Sequence, residues 1–411
     1  MMIVVSRMLV PCSLSLLLVS CSNNGNAIPA GPEFQKRAQE ALIQAKPGDI
    51  IQFPEGKLDV DRTLSLTVPN VTIRGKGMDK TILSFKNQKS GSAGLLVTAG
   101  GFTLEDVGIE DTKGDGVKVN GVDGVTFRRV RTEWTGGPNE KNGSYGLYPV
   151  QCKNVLIEDS VVRGAADAGI YVGQSKNIIV RRNRVELNVA GIEIENSSTA
   201  DAYENIATKN TGGMLVFNLP DLPVKSGRDT RFFNNQVYAN NTENFAPKGN
   251  MVANVPTGTG VIVLAASHVE VFKNTIRDNN SANVSIISYY TTGNPMKDAS
   301  YDPFNHAINV HDNTITGGGT APAGRMATTL GTRVAKPLPS ILFDGIVDPK
   351  SKGEEAQICI QNNGDASFMN YDAAHEFKNI SRDVSAHACS LPALAGVSIP
   401  VVAKAGVGGG N

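Results

Sequence analysis

The chain reads as an all-β protein, a right-handed parallel β-helix of about ten coils, and three recurring features predict it. An apolar pair two residues apart recurs along the chain, each followed three residues on by a turn position, with shortest spacings of 22 and 23 residues. That turn position holds Asn in unit after unit. Ile178 and Val180 lead to Asn183, Ala200 and Ala202 to Asn205, and Val269 and Val271 to Asn274. Ile308 and Val310 lead to Asn313, Ile358 and Ile360 to Asn363, and Thr230 and Phe232, less cleanly, to Asn235. Each unit also carries a Gly-led alternating strand: GVKV at 116, GLYP at 146, GIYV at 169, GIEI at 191, GMLV at 213 and GVIV at 260. Period-2 apolar residues on every strand put one face into a shared interior.

The Asn has a physical role at the turn. A coil corner turns inward backbone groups that no strand partner satisfies, and a carboxamide carries both donors and an acceptor. Stacked copies satisfy groups that would otherwise cost about 1–3 kcal/mol each. At a rise of about 4.8 Å per coil, ten coils make a rod roughly 45 Å long. Its ends are open sheet edges that need cover.

Taken in order, the elements start with Arg7 and an apolar stretch, Met8 to Ser20, too short to span a bilayer. It ends in LVSC, which resembles the bacterial lipobox. That resemblance implies a signal peptide over 1–20, cleaved before an acylated Cys21, and with Ser22 next it implies the outer membrane. An ordinary signal peptide with Cys21 near its end is the alternative. Residues 21–32 read as a flexible polar tether. Residues 33–363 read as the coils with a capping helix, in which Phe34, Ala38, Ala41, Leu42 and Ala45 share one face and Pro47-Gly48 stop it. Residues 364–411 read as an irregular cap folded over the last coil, with a disordered AGVGGGN tail. Cys359 and Cys389 lie close enough in sequence to pair in an oxidising compartment, which leaves Cys152 as a buried thiol.

Composition excludes several classes. With 39 basic and 39 acidic residues there is no basic stripe for nucleic acid. The cysteines make no C-x-x-C, no G-x-S-x-G occurs, and RGKGMDK lacks the third glycine and lysine context of a phosphate loop. His306 and His311 fall on opposite faces of one strand, so no metal pair is expected.

AKPGDIIQFPEGKLDVDRTLSL, then VTIRGKGMDKTIL and the repeated coils, resemble the pectin-lyase-like right-handed β-helix superfamily. ICIQNNGDASFMNYD and HACSLP, with the lipobox, are similar to exported bacterial β-helix repeat lipoproteins. The superfamily resemblance implies carbohydrate contact, by lyases, hydrolases, epimerases or binding modules. The N-T-D, D-D and G-H-G patterns of polygalacturonase-like hydrolases are absent, and pectate-lyase-like signatures find no clear match. Epimerase-like enzymes of the superfamily carry D-P-H-D. Here YDPFNH keeps Asp302 and Pro303, puts Phe304 and Asn305 where the His and Asp stand, and displaces His306.

Insertions locate a ligand face, because loops on a rigid coil scaffold carry function. Segments 135–146 and 241–258 precede Gly-led strands, while 218–228 and 288–305 follow them, so they should wall one groove. Its floor would be Lys118, Tyr148, Tyr171, Glu193, Leu215, Ile262 and Ser285. Tyr faces suit sugar rings and Lys118 suits a carboxylate, whereas Glu193 and Glu195 read as solvated strand positions. Trp134, beside the first wall, reads as packing ahead of a sugar platform. Asp302 or His306, with Tyr289 or Tyr290, are the candidates for proton abstraction beside a uronate carboxylate, although an ordinary loop is the reading placed ahead of catalysis there.

The expectation is thus an exported, lipid-anchored envelope protein that binds or processes a polysaccharide, uronate-containing polymers among them. The alternative is a non-catalytic structural rod that binds another exported protein. Catalysis stays open; an enzyme would be a lyase or epimerase rather than a polygalacturonase-type hydrolase. No cofactor is predicted, and nothing in the residues supports calcium.

Overall fold

The computed structural model describes residues 27–399. The readings placed on 1–26 and 400–411, which include the signal peptide, Cys21 and the glycine-rich tail, lie outside the described residues. Among the described residues no helix is long and apolar enough to cross a membrane.

The chain winds as a right-handed parallel β-helix. The Gly-led strands, Ala190–Glu195 among them, stack in one 11-stranded sheet that runs from Arg62–Leu66 to Phe368–Asn370, and the other sides of the coils form a 19-stranded sheet. Register is strict. Ile170, Ile192, Met214, Val261 and Val284 align in one inward column, and Glu193, Leu215, Ile262 and Ser285 align outward. The inward columns are fully buried, worth about 1.5–3 kcal/mol per large apolar side chain. Glycine leads these strands because the next coil comes close: a Cβ at Gly191 would stand 2.5 Å from the Gly213 carbonyl oxygen.

The Asn ladder runs in single file. Each amide nitrogen donates to the oxygen of the next copy, Asn183 to Asn205 at 3.0 Å, Asn205 to Asn235 at 3.0 Å and Asn235 to Asn274 at 2.9 Å. It continues to Asn313 at 3.0 Å and Asn363 at 2.9 Å. Each also donates to a carbonyl of the preceding coil, as Asn205 does to Val180 at 2.9 Å. A second ladder, five residues further along each coil, passes through Asn188, Asn210, Asn240 and Asn279. Both follow a residue at positive φ, Arg182 (54°) before Asn183 and Leu187 (62°) before Asn188, which turns the corner and aims the next side chain inward.

Helix Phe34–Gln44 covers the first coil with Phe34, Ala38 and Leu42 buried, and Ala41 and Ala45 pack against the same core. At the other end the coils run past residue 363, since Phe368–Asn370 pairs with Ile341–Phe343. His387 packs beside Phe368 and Phe343 (5.0 and 5.4 Å), as expected of a cap. Beyond it the expectation needs correction. From Cys389, disulfide-bonded to Cys359, the chain turns back and lies lengthwise outside the large sheet. It does so because successive coils there offer alternating charge: Glu270 accepts from the Leu394 amide (3.3 Å), Arg231 donates to the Leu394 carbonyl (3.2 Å), and Asp201 accepts from the Val397 amide (3.0 Å). Cys152 is buried and free.

Candidate functional site

The inserted segments gather on the Gly-led face as the spacing predicts, but they do not leave an open trough. Tyr301 donates to the Asn218 carbonyl at 2.5 Å and Lys225 pairs with Asp298, which ties 288–305 to 218–228. Asn294 reaches the Met251 sulfur at 3.6 Å, which ties 288–305 to 241–258. Beneath this arch Leu215, Phe217, Leu264, Val252, Val255, Tyr289 and Tyr301 form a second apolar core outside the rod. The walls close over the middle of the floor because its residues are apolar, and burying them outweighs leaving them wet.

Several expected floor residues are therefore corrected. Tyr171, Glu193, Leu215 and Ile262 are buried, as is Ser285, and Glu193 and Glu195 are not solvated. Tyr289 is buried while Tyr290 is 48% exposed. Trp134 is packing: it is buried and its indole donates to the Thr112 carbonyl at 2.7 Å.

The face keeps a half-exposed cluster and, further along, a recess. At the N-terminal end, Lys118, Tyr145, Tyr148 and Asp115 remain half-exposed. The Lys118 Nζ sits 4.7 Å from the Tyr148 ring centroid, a cation–π contact. Tyr145, Tyr148 and Tyr171 pack with centroids 4.4, 4.5 and 5.0 Å apart. Behind them, Tyr171 donates to Glu195 at 2.5 Å and Asn250, from the covering segment, donates to Asp167 at 3.0 Å.

This cluster is electrostatically unusual. Burial pushes the Asp115 carboxyl up to about 6, against the downward pull of Lys118 and a bond to the Tyr145 backbone. Burial, then the Glu195 charge, raises Asp167. Glu193 is raised well above the carboxylate range by burial, then by Glu195 and Asp167, and burial also raises Glu195 against bonds from Tyr171 and Glu193. Tyr148 is pushed up to about 12, by burial and then by Asp115 and Glu195. Like charges in a dry site cannot all ionise, so Glu193 is held protonated.

The recess, about 750 Å³, lies over Thr259, Ile262 and Ser285, between 243–257, Tyr290–Thr292 and the short helix Gly324–Thr329. It is mostly apolar. Asp302 and His306 belong neither to the cluster nor to this recess. They meet on the flank, with His306 Nε2 2.8 Å from Asp302 Oδ2, and line a separate cavity of about 320 Å³. Among the described residues no cluster of His, Cys, Asp or Glu is arranged to hold a metal ion.

Sequence reasoning missed Asp115, Tyr145, Asp167 and Asn250. Asp115 and Tyr145 stand three residues before Lys118 and Tyr148, an offset that was legible. Asn250 was not, since a loop residue 83 positions from its partner Asp167 leaves no periodic trace.

Residues 70–226 match the family described as right handed beta helix region. The structure is similar to the A-module of the mannuronan C-5 epimerase AlgE4 of Azotobacter vinelandii (17% identity, TM-score 0.55), covering 82% of this chain and 92% of that one. The A-module of the Azotobacter vinelandii epimerase AlgE6 gives 18% identity and TM-score 0.47, covering 81% and 90%. An exopolygalacturonase of Thermotoga maritima gives 13% identity and TM-score 0.48, covering 76% and 82%. No curated protein sequence matches the chain. The chain has the pectin-lyase-like right-handed parallel β-helix fold, which by itself does not choose a chemistry.

Proposed function

We propose that the chain binds and processes an acidic polysaccharide at the half-exposed Lys118–Tyr148 cluster. The observation that carries this reading is a cation 4.7 Å over a half-exposed tyrosine ring, on the strand whose Asp115 is held near 6. A uronate ring would stack on Tyr148 while its carboxylate pairs with Lys118. That pairing acidifies the adjacent C–H. Asp115, ionised at neutral pH, takes the proton, and the tyrosine hydroxyls, held protonated by burial, donate to the leaving oxygen or to the opposite ring face. The similar fold of the AlgE4 A-module, a mannuronan C-5 epimerase, lends general support to action on a polysaccharide.

The test is the full chain on alginate, pectin and glycosaminoglycans, read as unsaturated-product absorbance and, for epimerisation, as proton exchange with deuterated solvent. Both signals should fall about 100-fold or more in Asp115→Asn. Silence on every uronate polymer would overturn the reading.

A second reading has its own support. The covered middle of the face, with Val224, Tyr290 and Met296 exposed on its loops at 36%, 48% and 37%, suits a rod that binds another exported protein. A glycan array without binding, together with a stable co-purifying partner lost in Tyr290→Ser, would favour it. In either case we take Cys21 as the lipid attachment and the envelope as the location. Palmitate labelling that persists in Cys21→Ser would remove that part.

A further inference from the structure

We propose that Ser351, His306 and Asp302 form an acyl-transfer centre that hydrolyses short-chain carboxylic esters, separate from the Lys118–Tyr148 cluster. His306 is bracketed: Nε2 lies 2.8 Å from Asp302 Oδ2, and Nδ1 lies 3.1 Å from Ser351 Oγ. Asp302 and His306 come from the 288–305 insertion and the strand after it, while Ser351 arrives from 45 residues further on, so only the fold assembles the three. They line one cavity of about 320 Å³ with Arg228, Ser267, Phe304 and Glu355. His306 is buried, whereas Ser351 is half-exposed and reachable. Nucleophile, base and orienting carboxylate stand in the order that acyl transfer requires.

The chemistry balances. Ser351 Oγ adds to the ester carbonyl and its proton passes to Nδ1 of neutral His306, whose Nε2–H is held by Asp302. Arg228 supplies positive charge toward the carbonyl oxygen. The alcohol leaves with the proton from His306. Water then attacks the acyl-serine, returning the proton to Ser351 through His306 and releasing the carboxylic acid. The cavity's size admits an acetyl or similarly short acyl group.

Asp348 sets the resting state, since its Oδ2 lies 2.9 Å from Ser351 Oγ. Ser351 has one proton and two acceptors. When His306 is protonated the hydroxyl points to Asp348 and the nucleophile is disarmed; when His306 is neutral the hydroxyl turns to Nδ1. Asp302 beside it holds His306 above the ordinary imidazole value, against burial, and Glu355 and Asp348 add negative charge. Arg228 lines the same cavity, and His268 lies 3.1 Å from Arg228 and 3.3 Å from Glu355. The armed state thus appears as pH rises through a value above 6.5.

The experiment uses the full chain with p-nitrophenyl acetate, and a fluorophosphonate probe located by peptide mass spectrometry. The expected result is labelling at Ser351 and esterase activity that falls about 100-fold or more in Ser351→Ala and His306→Ala. The rising limb of the pH profile should move to lower pH in Asp302→Asn, which a purely structural role would not produce. Ser351 is on a surface loop, so Ser351→Ala should keep its thermal transition. Absence of label at Ser351, or ester hydrolysis unchanged in Ser351→Ala, would overturn the proposal. Neither readout depends on uronate polymers, so the two proposals fail separately.

Discussion

Tyr171 and Glu195 lie one coil apart on the same outward face, and the phenol donates to the carboxylate at 2.5 Å beneath the 241–258 segment. Strand positions that alternation alone would send to solvent are thus dry. Three carboxyls, Asp167, Glu193 and Glu195, share a site with Asn250 from the covering segment.

This burial sets a pH dependence. The folded-state values of Glu193, Glu195 and Asp167 are raised, so the folded protein binds more protons than the unfolded chain above about 4.5. Their contribution is fully present below that value and is lost as pH rises through the folded values. The melting temperature should fall from pH 5 to pH 8. Glu193→Gln should flatten that slope and raise the pH 8 value by a few degrees, at about 1.4 kcal/mol per unit of raised pKa. Thermal scans across pH decide it; a slope unchanged in Glu193→Gln would contradict the assignment.

The ladders predict a positional series. Asn205→Ala unpairs the Asn183 backbone amide and the Val180 carbonyl and leaves the Asn235 oxygen only the residue 205 backbone amide as donor, which should cost about 3–5 kcal/mol in chemical denaturation. Asn210→Ala, in the second ladder, should cost as much. Ser160, whose backbone amide donates to the Asn183 oxygen, heads the first ladder; Ser160→Ala removes the acceptor of the Val130 amide and a donor to the Glu158 carbonyl of its own coil, and should cost about 1–2 kcal/mol. Equal losses at Ser160 and Asn205 would mean the stacking adds nothing.

At the Lys118–Tyr148 cluster, the ascending limb of a pH–rate profile on a uronate polymer should fall near 6, where Asp115 titrates. Lys118 pulls Asp115 down, so Lys118→Met should move that limb upward while weakening substrate binding. A limb that stays in place would mean that Asp115 is not the base.

Removing the Cys359–Cys389 cross-link, which closes 30 residues, should cost roughly 3 kcal/mol. It should also release residues 390–399 to proteases first, while the paired Asp201 and Arg231 (2.6 Å) stay in place. Limited proteolysis of Cys389→Ser would show it; a segment that stays protected would mean its contacts with Glu270, Arg231 and Asp201 suffice alone.

Periodicity carried most of the fold. The apolar pairs, the first Asn file and the Gly-led strands each repeat, and a repeat in sequence becomes a column in space. The second file, Asn188 to Asn279, was equally periodic, five residues after the first. One outward row is legible only once the register is known. Arg74, Glu105, Arg128, Glu158 and Arg181 alternate in charge, and Arg181 then donates to the Tyr203 hydroxyl at 3.0 Å. From there Tyr203, Phe233, Phe272 and His311 stack at 4.8–5.3 Å.

The sequence by itself determined that this chain winds into a rod and on which face its insertions gather, because both follow from local spacing. The tertiary structure alone decided that those insertions meet over the apolar floor, that Glu193 and Glu195 are dry, and that Ser351 reaches His306. A loop's path is chosen by the surface it can bury and the partners it can bond, and neither is written in the order of its residues.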